Sequence, residues 1–244
     1  MLIYLYGYIL ILIILIIINI VLNIITPCNK NSIVVMGMRR SGLHPICSDI
    51  INQYTNSNNY NIKLRFIGNV NYVRYKISQK NDRVILFEDK FYKPTKFDVD
   101  GNKIIIIIRD IYDNIISRVK VNKHWSKIDN HFISTYIDIM NEILGYTNFY
   151  NKKVIINYDL YIDNTTDYRG NILKNQFNFT EIDKMYSEIS HNGPGKSFDN
   201  NNNRSNTVIN NKIFNLISSN ETLLRLVKEY FGYNLLDKLK PHLN

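Results

Sequence analysis

The chain has 244 residues, a formal net charge of +9 and 45% hydrophobic residues, which excludes a peptide hormone and a disordered acidic tail and leaves enough apolar material for a core. It contains no alanine, and isoleucine and asparagine together supply roughly a third of it, a bias of A/T-rich codons under which Asn-rich loops and Ile runs are weak signals. The two cysteines, Cys28 and Cys47, exclude a disulfide framework and a structural zinc site with four close Cys/His ligands.

From Leu2 to Ile25 no side chain carries a charge, and a helix of that length reaches roughly 36 Å against a hydrocarbon core of about 30 Å. Residues 1–26 therefore read as a single-pass transmembrane anchor. A cleaved signal peptide fits less well, because its apolar region is shorter, follows a basic stretch and ends in small residues; here Thr26, Pro27 and Cys28 follow. Lys30, Arg39 and Arg40 lie beyond the segment, so the positive-inside rule favours a cytoplasmic domain, although a nucleotide site accounts for those arginines equally well.

Residues 32–244 are then one α/β domain, with strand-like runs alternating with helix-period segments as in a parallel sheet with crossover helices. Strands are expected at Ser32–Met36, Ile62–Ile67, Arg83–Phe87, Lys103–Ile108 and Lys153–Asn157. The isoleucines at 104–108 lack alternation, as expected of a strand buried on both faces. After the first strand, Leu43, Ile46, Cys47, Ile50, Ile51 and Tyr54 recur at helical spacing, with Pro45 in the first turn. Further helices are expected over Ile111–Val121, His131–Leu144, Asp167–Gln176, Thr180–Ser187 and Asn211–Phe231. Asp199–Asn206 reads as an Asn-rich loop, and Cys47 as a small core residue. The N-x-S/T sequons at Asn164, Asn178, Asn203 and Asn220 are about what chance supplies in such a chain and do not establish a luminal domain.

Chemistry is expected in the loop Gly37-Met38-Arg39-Arg40-Ser41-Gly42, between the first strand and first helix, where backbone N–H groups and a helix dipole attract an anion. Its glycines have P-loop separation. Leu43 and His44 stand where the Walker lysine and the Mg²⁺-binding hydroxyl belong, which argues against an ATPase or GTPase. Arg39 and Arg40 can instead supply charge-assisted hydrogen bonds to phosphate or sulfate oxygens. A second element follows the Ile strand: Arg109 ends it, and Ser117 lies two turns into the next helix. Ligands of open α/β sheets bind at this edge, so the two can hold a second phosphate.

Together these elements resemble the sulfotransferases that use phosphoadenosine phosphosulfate (PAPS). The family's phosphosulfate loop, ending in Lys/Arg-Ser/Gly-Gly-Thr-Thr, is matched by Arg40-Ser41-Gly42, with Leu43 and His44 at the threonine positions. Its Arg-x7-Ser element for the nucleotide 3′-phosphate is matched by Arg109 and Ser117, and its strand-ending tyrosine near the adenine by Tyr158-Asp159-Leu160. Order and separation agree along residues 32–163. The late basic cap has a loose counterpart in Gly193-Pro194-Gly195-Lys196, with Arg204 as a further candidate phosphate contact.

The resemblance implies a P-loop-like three-layer fold with a central parallel sheet, and transfer of a sulfuryl group from PAPS to a hydroxyl or amine of a carbohydrate, lipid or protein, without a metal. The product would be 3′,5′-adenosine bisphosphate. Arg39, Arg40, Ser41, Gly42, Leu43, His44, Arg109, Ser117 and Tyr158 would bind the nucleotide, with Arg40 stabilising the leaving phosphate. Glu88 stands where the family keeps its catalytic His or Glu; Asp89 and a histidine remain alternatives for the base, and His124 beside Trp125 can line an acceptor site. By resemblance the domain would face a Golgi or other endomembrane lumen. The rival readings are a P-loop kinase-like enzyme with arginine for lysine, and a non-catalytic membrane-tethered binding protein on a degenerate sulfotransferase fold. The basic residues are scattered and form no nucleic-acid-binding module, so no nucleic-acid partner is expected.

Overall fold

The computed structural model describes residues 33–58, 63–64, 72–77, 82–91, 93, 103–121, 127–163, 167–179 and 207–243. The expected anchor over 1–26, the helix over Thr180–Ser187, the loop Asp199–Asn206, Gly193–Lys196, Arg204, Cys28, His124 and Trp125 lie outside the described residues. Among the described residues, no helix is long and apolar enough to cross a membrane.

The frame is a sheet of β1 (Ile33–Gly37), β2 (Lys63–Leu64), β3 (Tyr72–Ile77), β4 (Asp82–Glu88), β5 (Lys103–Ile108) and β6 (Lys153–Asn157), ordered β2-β3-β4-β1-β5-β6. Strands β4, β1, β5 and β6 run parallel, and β3 and β2 extend the sheet antiparallel beyond β4. Strand β5 is paired on both sides, in register Val34↔Ile104 with β1 and Ile104↔Lys153 with β6. Its isoleucines divide between the two faces: Ile104, Ile106 and Ile108 enter one core, Ile105 and Ile107 the other. Period-two side chains on a strand covered on both faces require this unbroken apolar run.

The first core is closed by α2 (Ile111–Val121), α3 (Asn130–Leu144), α6 (Asn211–Ser218), α7 (Glu221–Phe231) and α8 (Leu235–Leu239). The second is closed by α1 (Leu43–Asn58), α4 (Tyr158–Ile162) and α5 (Tyr168–Phe177). The three-layer α/β architecture expected from the sequence is thus present, and Cys47 is core, its thiol pushed up by burial and by the charge of Glu88.

Several boundaries differ for physical reasons. The helix expected over Asn211–Phe231 is broken because the Asn220 side chain accepts from Leu223 N at 2.9 Å and caps a new helix. Likewise Asn157 accepts from Asp159 N at 3.0 Å and starts α4 directly at the end of β6. Strand β3 and helix α8 were not expected; of the strand expected over Ile62–Ile67, the described residues Lys63–Leu64 are strand.

The return from α3 to β6 turns on one buried carboxylate. Asp129 caps the start of α3, accepting from Phe132 N at 3.0 Å, and Gly145 ends it in the left-handed region. Glu142 then accepts from Lys153 Nζ at 2.6 Å, Phe149 N at 3.0 Å, Tyr150 N at 3.1 Å and Thr147 Oγ1 at 2.9 Å. Burial pushes the Glu142 carboxyl up, but Lys153 and these donors outweigh it and hold the group below its ordinary value. Such a carboxylate stabilises the fold fully above its unfolded pKa and loses that contribution as pH falls through the folded value. Glu142→Gln should therefore lower the unfolding free energy by about 2 kcal/mol at neutral pH. In urea titrations the difference from the native chain should shrink on acidification.

Candidate functional site at the switch point of the sheet

Residues 38–42 form a turn at the C-terminal edge of the sheet, between the ends of β4 and β5. Strand β1 leads into α1 on one face and β5 into α2 on the other, so a topological switch point, the usual ligand crevice of open α/β sheets, lies between them. Arg40 holds a φ of 69° and Gly42 one of 74°. For arginine the left-handed region is costly and needs support from its surroundings.

That support comes from α2 and from the residues that end β4 and β5. Asn114, fully buried, donates Nδ2 to Arg39 O and to Ser41 Oγ, both at 2.9 Å. Arg118 donates Nε to Asn114 Oδ1 at 2.8 Å, Nη2 to Arg39 O at 3.2 Å, and Nη2 also to Asp89 Oδ1. Asp89 in turn accepts from Arg39 N at 2.8 Å. Arg109 Nη1 donates to Arg40 O at 2.7 Å, and Arg40 Nε donates to Ser117 Oγ at 2.8 Å. Arg40, Arg109 and Ser117, expected to act together, are thus brought together by a loop, a strand end and a helix.

The chain matches no protein-family model and no curated sequence.

The remaining expected residues divide by environment. Ser41 is buried and engaged by Asn114. Leu43 packs into the second core, which leaves its main chain as the only part able to meet a ligand. Arg39 faces Glu88 Oε2 at 3.4 Å and Asp89 Oδ2 at 3.6 Å. His44 Nε2 lies 2.9 Å from Glu88 Oε1. Tyr158 is buried, its ring centroid 5.0 Å from the Arg109 guanidinium carbon, and the ring lies against Gly42. Its visible role is to wall the loop.

Asn114 and Arg118 were not among the expected residues. Their signal was present: Asn114, Ser117 and Arg118 stand at i, i+3 and i+4, one face of a helix whose other buried residues are isoleucines. Burial lowers the affinity of Arg118 for its proton, and Asp89 partly restores it.

Gly42 is where the wall and the loop meet. A Cβ there would lie 1.9 Å from Tyr158 ring carbons, at a φ that alanine disfavours. Gly42→Ala should destabilise the chain by about 2 kcal/mol or more. Combined with Tyr158→Ala, the loss should fall short of the sum by about 1 kcal/mol, the part due to the ring, as read in a double-mutant cycle of urea denaturation.

Proposed function

We propose that the domain binds PAPS at this switch point and transfers its sulfuryl group to a hydroxyl or amine of a carbohydrate, lipid or protein acceptor. The observation that carries the reading is the meeting of Arg40, Arg109 and Ser117 beside a P-loop-like turn. The donor set fits a phosphate ester: Arg109 Nε is buried with no hydrogen-bond acceptor among the described residues, and Asp159 Oδ1 is 3.8 Å away. An incoming phosphate oxygen would satisfy it with a charge-assisted bond.

PAPS supplies the sulfuryl group and a phosphate leaving group; the protein supplies position and charge. Arg40 offsets the negative charge that grows on the departing phosphate, which requires no movement because Ser117 and Arg109 already fix it. Ser117 and Arg109 hold the 3′-phosphate, and the N-terminus of α1 adds its dipole. With Leu43 in the core at the Walker lysine position and His44 at the hydroxyl position, neither Walker group has a counterpart, which supports sulfuryl over ATP-dependent phosphoryl transfer. The apolar segment 1–26 would tether this activity to a membrane, next to glycan, lipid or protein acceptors.

Calorimetric titration of the full-length chain with 3′,5′-adenosine bisphosphate tests the reading. Binding in the micromolar range is expected, weakened about tenfold or more (~1.4 kcal/mol) by Arg40→Ala or Arg109→Ala. Parallel titration with ATP and Mg²⁺ should show no comparable binding, and labelled sulfate should pass from PAPS to an acceptor. Absence of bisphosphate binding, or binding indifferent to both substitutions, overturns the proposal.

A further inference from the structure

Asn114 and Arg118 are buried polar side chains of α2 that sulfuryl transfer itself does not use. The direction of each hydrogen bond around Asn114 is fixed by chemistry. A guanidinium can only donate and a carbonyl can only accept, so Asn114 Oδ1 must face Arg118 Nε at 2.8 Å, and Nδ2 must face Arg39 O at 2.9 Å. The second Nδ2 hydrogen goes to Ser41 Oγ, also at 2.9 Å, so both hydrogens of the amide are committed to the loop. Arg118 is held as firmly. Its Nη1 donates to Lys127 O at 3.2 Å, its Nη2 to Arg39 O and to Asp89 Oδ1, and its guanidinium carbon lies 4.6 Å from the centroid of the Phe132 ring on α3. The Asn114 amide therefore cannot turn over without leaving a buried donor and a buried carbonyl mismatched.

The two loop groups that Asn114 engages flank Arg40. Fixing the peptide unit before Arg40 and the side chain after it holds the φ of 69°. The Arg40 side chain then meets Ser117 Oγ at 2.8 Å, about one turn further along the same helix. Resting on the sulfuryl-transfer reading, we propose that Asn114 is the positioning residue for Arg40, oriented in turn by Arg118, so that nucleotide affinity depends on a side chain that does not touch the nucleotide. Helix α2 thus acts twice on one arginine, on its main-chain neighbours through Asn114 and on its side chain through Ser117. Without Asn114 the loop relaxes out of the left-handed conformation, and binding must restore it at the expense of affinity.

Two measurements on the full-length chain test the assignment, with circular dichroism confirming that each variant folds. In calorimetric titration, Asn114→Ala should weaken 3′,5′-adenosine bisphosphate about tenfold or more (~1.4 kcal/mol). Asn114→Asp keeps the acceptor for Arg118 but withdraws both donors, and should lose at least as much. In the Arg40→Ala background, Asn114→Ala should cost no more than about twofold, because the side chain it positions is gone. Glu142→Gln loosens the fold from the opposite edge of the sheet, where Lys153 begins β6, and should leave affinity within about twofold of wild type. Separately, hydrogen exchange of the ligand-free chain reports on the loop. The amides of Arg39 and Ser41, bonded to Asp89 Oδ1 and Met38 O, should exchange about tenfold or more faster in Asn114→Ala than in the wild type. Unchanged affinity in either Asn114 variant, additive losses in the double variant, an equal loss in Glu142→Gln, or loop exchange indifferent to Asn114→Ala would each overturn the assignment. A wild-type chain that fails to bind bisphosphate fells the sulfuryl-transfer reading instead, and the exchange rates then still decide whether Asn114 fixes the loop.

Discussion

The left-handed turn at Arg40 stands because buried side chains hold its carbonyls. Arg39 O accepts from Asn114 and Arg118, and Arg40 O from Arg109. A buried carbonyl without a donor costs on the order of 1–3 kcal/mol, comparable to the strain of a non-glycine residue at positive φ. The polar stripe of α2 and the arginine ending β5 therefore do more than line a crevice. They make the turn the lowest-energy path between β1 and α1.

The same contacts sort the charges. Arg39 and Arg118 are matched by Glu88 and Asp89, so these cations serve mainly to fix the loop to the end of β4. Arg40 Nε donates to the Ser117 hydroxyl and Arg109 Nη1 to the Arg40 carbonyl, with Asp159 Oδ1 3.8 Å from Arg109 Nε. A guanidinium fixed by a carboxylate has spent much of its charge on that partner. The net charge of +9 thus says little about the site; the identity of each partner says more.

Much of this was legible in the sequence where burial dictated it. Strands β5 and β6 and helix α2 have the expected boundaries, because unbroken Ile runs and a helical apolar period leave few alternatives. Arg40, Arg109 and Ser117 were legible from their places relative to strand ends. The caps at Asn157 and Asn220 were not, since in so Asn-rich a chain a capping asparagine looks like any other. The contact of the Tyr158 ring with Gly42 was not legible, since it joins residues far apart in the chain and no local pattern encodes it. Asn114 and Arg118 were hidden for a similar reason: their partners are main-chain atoms of a distant loop.

Rigidity at the switch point is reinforced from both layers. Beneath α1, the buried Asp49 accepts Arg169 Nε at 2.7 Å and Nη2 at 2.8 Å, and Tyr161 OH at 2.8 Å, tying the helix that follows the loop to α4 and α5. Burial and the Asp49 charge push the Tyr161 hydroxyl up, so it stays a donor. On the other face, Asp110 receives Tyr112 N at 2.8 Å, the Tyr233 hydroxyl, and Lys238 at 3.5 Å, tying the end of β5 to the C-terminal helices. Removing one partner of the buried Asp49–Arg169 pair would cost about 3–5 kcal/mol, so α1 cannot shift cheaply. A loop clamped by α2 would still wander if α1 or β5 moved as a body. Because both are anchored by charged, bidentate or multiple bonds, the positions of Arg40, Arg109 and His44 are set before any ligand arrives, which is the condition under which fixed dipoles and charges lower a barrier rather than reorganise with it.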